Sequence, residues 1–154
     1  DRQRRGAAAE TLARASLDRC TLPHIYVEQS PLTLPAAMNG EIKRPDFLVG
    51  IPSICTVAVY VKAKRGYVDT LFVDAYEHRT LLNFETFFNI SVWFVCFPPD
   101  EAHACHLFLN RSLAALPVRR RQGKEALAVP LTLGRVADER RDFMAALMGA
   151  IRLN

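Results

Sequence analysis

The chain has little sulfur, no signal-like leader and no long apolar run. Its four cysteines, Cys20, Cys55, Cys96 and Cys105, are so far apart that no Cys-x-x-Cys pair exists. That spacing argues against a zinc ribbon, a redox pair or a disulfide framework. Two of the four lie in apolar, strand-like runs, so buried free thiols in a reducing cytoplasm are the expectation. The longest apolar run, over positions 54–61, is far below the ~20 residues that a spanning helix needs, which sets a membrane aside. The N-terminus, DRQRRGAAAE, lacks both an apolar core segment and an initiator Met, as a fragment of a longer protein or a trimmed chain would. No internal repeat or low-complexity tract interrupts the sequence.

What is present is enough for a core. Half of the 154 residues are hydrophobic, which suits one folded domain and leaves little room for two. The net charge of +4 is unevenly placed. Arg2, Arg4 and Arg5 cluster at one end. Arg119, Arg120, Arg121 and Lys124 form the densest block, and Lys43, Arg44, Lys62, Lys64 and Arg65 flank the middle of the chain. Basic clusters that converge on one surface suit a phosphate backbone, whereas each taken singly is equally a solvated face.

Periodicity supplies the elements. Residues 4–20 read as a helix with a stripe of Ala9, Leu12, Ala13, Ser16, Leu17 and Cys20, and Glu10 beside it. A short strand is expected over 24–29, then a connector over 30–40. Two strands, 46–51 and 55–61, are joined by a turn containing Gly50, Pro52 and Ser53. The second is apolar and β-branched, like a strand buried on both faces. Its alternation puts Tyr60, Lys62 and Lys64 on one face and Val59 and Val61 on the other. A strand over 70–74 precedes a helix over 76–89, whose mass comes from Leu81, Leu82, Phe84, Phe87 and Phe88, with Glu77, His78, Arg79 and Glu85 facing elsewhere and Asn89 as a left-handed cap. Strands follow over 91–97, stopped by Pro98-Pro99, and over 103–109. A basic loop (113–124), an edge strand (125–133, with Pro130) and an amphipathic helix (138–153, with Phe143, Ala146, Leu147, Ala150 and Ile151 on one face) close the chain. His103, Cys105 and His106 invite a zinc reading, but alternation sets His106 on the opposite face from the other two. The order of elements predicts a mixed α/β layer architecture.

Pro45-Asp46 at the head of one strand, followed by Tyr60-Val61-Lys62 at the end of the next, resembles the PD-(D/E)xK nuclease superfamily. The opening Gly6 and Glu10-bearing helix is similar to that of archaeal Holliday junction resolvases. The resemblance covers roughly positions 6–109. It implies a restriction-endonuclease-like α/β core, a central mixed sheet flanked by helices, within a single nuclease-like domain over 1–154, the basic loop, edge strand and helix of 111–154 being additions. It further implies a cytoplasmic, Mg²⁺- or Mn²⁺-dependent endonuclease acting on DNA, as a homodimer or larger assembly.

In that family Asp46, Lys62 and Glu10 would be catalytic. Asp46, Glu10 and the Val61 carbonyl would hold the metal. Lys43, Arg44, Lys64, Arg65, His78, Arg79, Arg119, Arg120 and Arg121 would contact nucleic acid. The sequence departs from the motif at one place: Tyr60 occupies the second acid's position, and a phenol is neutral at pH 7. Three readings follow. Another acid (Glu10, Asp69, Asp74, Glu77 or Glu85) takes the vacant corner; the fold persists as an inactive module that binds nucleic acid or a protein; or Tyr60 is a variant residue in an active nuclease.

Overall fold

The computed structural model describes residues 2–152, without the side chains of Arg2, Ala150 and Arg152. Of the sequence expectations, Arg2 in the first basic cluster, Ala150 in the closing stripe and the helix end at Leu153 therefore lie outside the described residues. The chain opens with α1 (Arg2–Arg19) and continues through β1 (His24–Tyr26), β2 (Phe47–Ile51), β3 (Cys55–Lys62), β4 (Thr70–Asp74), α2 (Ala75–Phe88), β5 (Val92–Cys96), β6 (Ala104–Leu109), β7 (Val118–Arg121), β8 (Lys124–Pro130), β9 (Arg135–Asp138) and α3 (Phe143–Arg152). Six strands form a central sheet in the order β1-β2-β3-β5-β6-β9. Only β3 and β5 run parallel; the remaining pairs are antiparallel. This is the mixed sheet flanked by helices that the sequence predicts.

Period-two alternation explains the layers. Val57, Val59 and Val61 of β3 face α1 and α3, packing with Ala13, Leu17, Trp93, Phe143 and Leu147. Ala58 and Tyr60 face the other way, into a second cluster with Leu71, Leu81, Phe94, Leu127 and Val129. The parallel β3–β5 pair needs a crossover, and the segment that makes it, β4 and α2, covers this second face.

Several boundaries differ from expectation. The first strand ends at Tyr26, and Asp46 lies just outside β2. Leu12 is 40% exposed, and Phe87 and Phe88 also reach solvent, while His78 and Glu85 are buried. All four cysteines are free thiols, but Cys55 is exposed and Cys20 half-buried; only Cys96 and Cys105 fit the buried expectation. Burial pushes those two thiols up to about 12. Of the basic loop, positions 118–121 form β7, and the strand expected at an edge, β8, lies between β4 and β7 in a separate three-stranded sheet. Pro130 stands at its last position, where its missing N–H breaks no inner ladder. Helix α3 starts at Phe143 rather than at position 138, and β9 occupies positions left unassigned together with the first position expected as helix.

Candidate active site

Asp46 sits where β2 gives way and β3 runs on. Its backbone is still in the sheet: its N–H donates to the Val59 carbonyl (2.9 Å), and its own carbonyl accepts from Val27 N–H (2.8 Å). Beyond that point β3 has lost its neighbour, and the Val61 N–H donates instead to Asp46 Oδ2 at 2.7 Å. The carboxylate therefore completes the ladder in the plane of the sheet. Burial raises its pKa to about 6, with Glu10's charge adding to the rise, against the lowering effects of the Val61 N–H and the ammoniums of Lys62 and Lys43. Because the N–H and C=O of one strand residue point the same way, the Val61 carbonyl faces the side of β3 that Asp46 occupies.

The corner opposite is built by Tyr60, Lys62 and a residue from another element. Asp74 caps α2, its Oδ1 accepting from the N–H groups of Tyr76 (2.9 Å) and Glu77 (3.3 Å). That cap fixes Glu77 in the first turn, over the face of β3 that carries Tyr60 and Lys62. Glu77 Oε1 accepts from Lys62 Nζ (2.7 Å), Tyr60 OH (3.0 Å) and Lys43 Nζ (3.2 Å). Burial by itself would raise the Glu77 pKa, yet the two ammoniums overcome it and hold the group down at about 2. Tyr60 moves the other way: burial first, then Glu77's charge, drive its pKa further up, so the phenol stays a hydrogen-bond donor. Both ammoniums also lie over the Tyr60 ring, at 4.8 Å for Lys62 and 5.3 Å for Lys43.

One cleft of about 690 Å³ joins these groups, lined by Glu10 of α1, Asp46, Tyr60, Val61, Lys62 and Glu77, and extending to Lys64, Arg65 and Arg121. Asp46, Lys62 and Glu10, read from sequence as one site, are thus brought together, and Glu10 lies within hydrogen-bond range of Tyr26 OH (3.5 Å). The basic residues divide. Lys64, drawn by its bond to the Phe72 carbonyl (2.7 Å), faces the cleft, and burial lowers its pKa. Arg65 pairs with Asp100 at 2.9 Å. Lys43 is engaged by Glu77. Arg44 is a strut instead: it donates to the Ser30 carbonyl (2.7 Å), the Gln29 carbonyl (2.9 Å) and Thr33, pinning the connector ahead of the site.

His78 is a correction. It is buried, its Nδ1 2.9 Å from Asn110 Oδ1, in a network that runs through Asn110 Nδ2 to Glu85, which accepts the Val92 N–H at 2.7 Å. The same network removes Glu85 from the acids able to fill Tyr60's corner. Arg79 is exposed on α2 over the Tyr76 ring, and Arg119 and Arg120 are exposed on β7 outside the cleft lining.

No protein-family profile and no curated protein matches the sequence. A solved structure does: Archaeoglobus fulgidus Hjc, a Holliday junction resolvase from an archaeal hyperthermophile. The likeness covers 84% of this chain and 93% of that one, with a TM-score of 0.57 and 18% identity. The chain has the fold of this resolvase. At that identity the likeness to Hjc is one of architecture alone, and the chemistry rests on the residues present.

Those residues fit a hard divalent cation better than a soft one. The donors at the sheet edge are all oxygen, the carboxylates of Asp46 and Glu10 and a backbone carbonyl, and magnesium is commonly held through one or two carboxylates with water completing its shell. Among the described residues no group of three or more His, Cys, Asp or Glu is gathered to hold a metal ion, the carboxylates of this cleft included. On β6, Cys105 packs into the α1/α3 cluster while His106 points the other way.

Sequence reasoning left Glu77 as one acid among five. The signal that singles it out is Asp74-x-x-Glu77, a capping pattern that places the Glu in a helix's first turn. Lys43 as a partner of Glu77, and the grouping of Tyr67, Phe72 and Arg121 in the cleft, had no local signal.

Proposed function

We propose that the chain is a divalent-metal-dependent deoxyribonuclease domain in which Glu77 supplies the negative charge missing at Tyr60. Asp46 and Glu10 would hold the ion, with the Val61 carbonyl beside them. A bound Mg²⁺ or Mn²⁺ would lower the pKa of a water and offset charge on the scissile phosphate. Lys62 stands two residues from Tyr60 as a point charge for that phosphate and for the attacking water. Glu77 holds its ammonium at 2.7 Å, at the wall of the cleft. The observation that carries this reading is the meeting of Tyr60 OH and Lys62 Nζ on the one carboxylate oxygen of Glu77. The DNA substrate is taken from the resolvase that shares the fold. Cutting both strands of a duplex asks for two such sites, hence a homodimer.

Incubation with plasmid and Mg²⁺ or Mn²⁺ tests it. Nicking is expected, lost by at least 100-fold in Asp46→Asn, Lys62→Ala and Glu77→Gln but retained within a few-fold in Tyr60→Phe. Cleavage that survives Lys62→Ala sinks the assignment.

A specific observation favours a second reading. Lys43 and Lys62 together neutralise Glu77, as two ammoniums would if no metal were meant to be served there. The domain would then bind nucleic acid without cutting it. Salt-sensitive DNA binding with no turnover under either metal is the result that supports it.

A further inference from the structure

Beyond Lys62 the cleft contains a group that phosphodiester hydrolysis does not use. The Arg121 guanidinium lies 4.0 Å from the Tyr67 ring centroid and 4.1 Å from that of Phe72. The two rings meet edge to face at 6.2 Å. Tyr67 is clamped by its backbone, donating to the Thr70 carbonyl at 2.8 Å and accepting from Thr70 N–H at 3.1 Å. The Phe72 carbonyl in turn receives Lys64 Nζ. Lys64 follows Lys62 by two residues, roughly 7 Å at the rise of an extended chain. Lys64 thereby ties this group to the cleft wall that carries Lys62. Tyr67 nevertheless remains 50% exposed, so part of its ring is open to solvent at the cleft.

We propose that Tyr67 and Arg121 form a stacking subsite for one unpaired nucleobase, next to the phosphate that Lys62 addresses. Every base offers a flat face, and aromatic rings and guanidinium planes are the surfaces that receive it. Lys64 and Lys124, in the same cleft, suit the flanking phosphates. A base inside a duplex already has both faces covered and must be extruded before it can stack here. The subsite therefore selects single-stranded or locally unpaired DNA over intact duplex. The inference rests on the proposed function for the strand's position in the cleft, but its test reads no cleavage.

In EDTA at low salt, fluorescence anisotropy would compare a labelled oligothymidylate, an abasic oligomer of equal length and an intact duplex. The thymidylate is expected to bind about 10-fold more tightly than the abasic strand and several-fold more tightly than the duplex. Tyr67→Ala should bring the thymidylate-to-abasic ratio to about one, and Tyr67→Phe should keep it. A 2-aminopurine in the strand should be quenched by the unaltered protein, a readout independent of how the variants fold. Equal binding of thymidylate and abasic strands, a ratio unchanged by Tyr67→Ala, or unquenched 2-aminopurine would overturn the subsite. A lack of turnover under metal, measured separately, would remove only the nuclease assignment.

Discussion

Asp46 and Glu77 line one cleft and titrate in opposite directions. Asp46, at about 6 against an ordinary 3.8, favours folding fully below the lower value and loses that contribution as pH rises through 6. Glu77, at about 2 against 4.5, contributes stability that is present above 4.5 and lost as pH falls through 2. Asn at position 46 keeps an oxygen for the Val61 N–H without the buried charge. Asp46→Asn should therefore unfold at higher temperature than the parent at pH 7.5, by on the order of 2 kcal/mol, with the gap closing near pH 4. Thermal melts across that range check it. Glu77→Gln should do the reverse, costing about 2–4 kcal/mol at pH 7 because Lys43 and Lys62 lose their common counter-charge. A denaturant titration at pH 7 reads that loss. That contrast is what the proposed nuclease reaction would ask of Asp46.

At the scale of elements, α2 is what turns a lone acid into part of the cleft. Its capping Asp74 orients the first turn, and Asp74→Ala should cost about 1 kcal/mol of stability. By loosening Glu77 it should also lower kcat more than it raises KM in the nicking assay; an unchanged kcat would detach Glu77 from the reaction. At the other end of the sheet, Gly134 admits β9 against β6. A Cβ there would lie 2.5 Å from Phe108 Cε1 and 2.8 Å from the Leu107 carbonyl. Gly134→Ala should thus destabilise by about 1–3 kcal/mol, measured by denaturant unfolding, without altering DNA affinity. The helix over 75–88 and the strands around Asp46 were legible because their periodicity is strong. Strands β7 and β9 were not: each is only four residues long, and β7 reads V-R-R-R, a charge run whose extended shape comes from pairing with β8.

For the whole molecule, three layers put two unlike walls on one cleft. The central sheet delivers Asp46 and Lys62, α1 brings Glu10 from one face, and α2 brings Glu77 from the other. The three-stranded sheet adds Arg121 and Lys124. DNA affinity should fall steeply with salt, and reversing charge at Arg121 and Lys124 together should flatten that dependence, whereas reversal at Arg79 should leave it unchanged. Among the described residues no helix is long and apolar enough to cross a membrane, in line with the short apolar runs of the sequence.

The sequence by itself determined the strand alternation that sets Tyr60 and Lys62 on one face, the acid at the head of β2, and the buried apolar strands that force a layered fold. Those follow from local periodicity and residue chemistry. Only the tertiary structure decided which of the five acids meets the Tyr60 hydroxyl, that His78 and Glu85 belong to a buried network, and that Arg121 reaches Tyr67 across more than fifty intervening positions. These depend on how α2 and the second sheet dock onto the first, through contacts between segments distant in the chain, and no window of neighbouring residues carries that information.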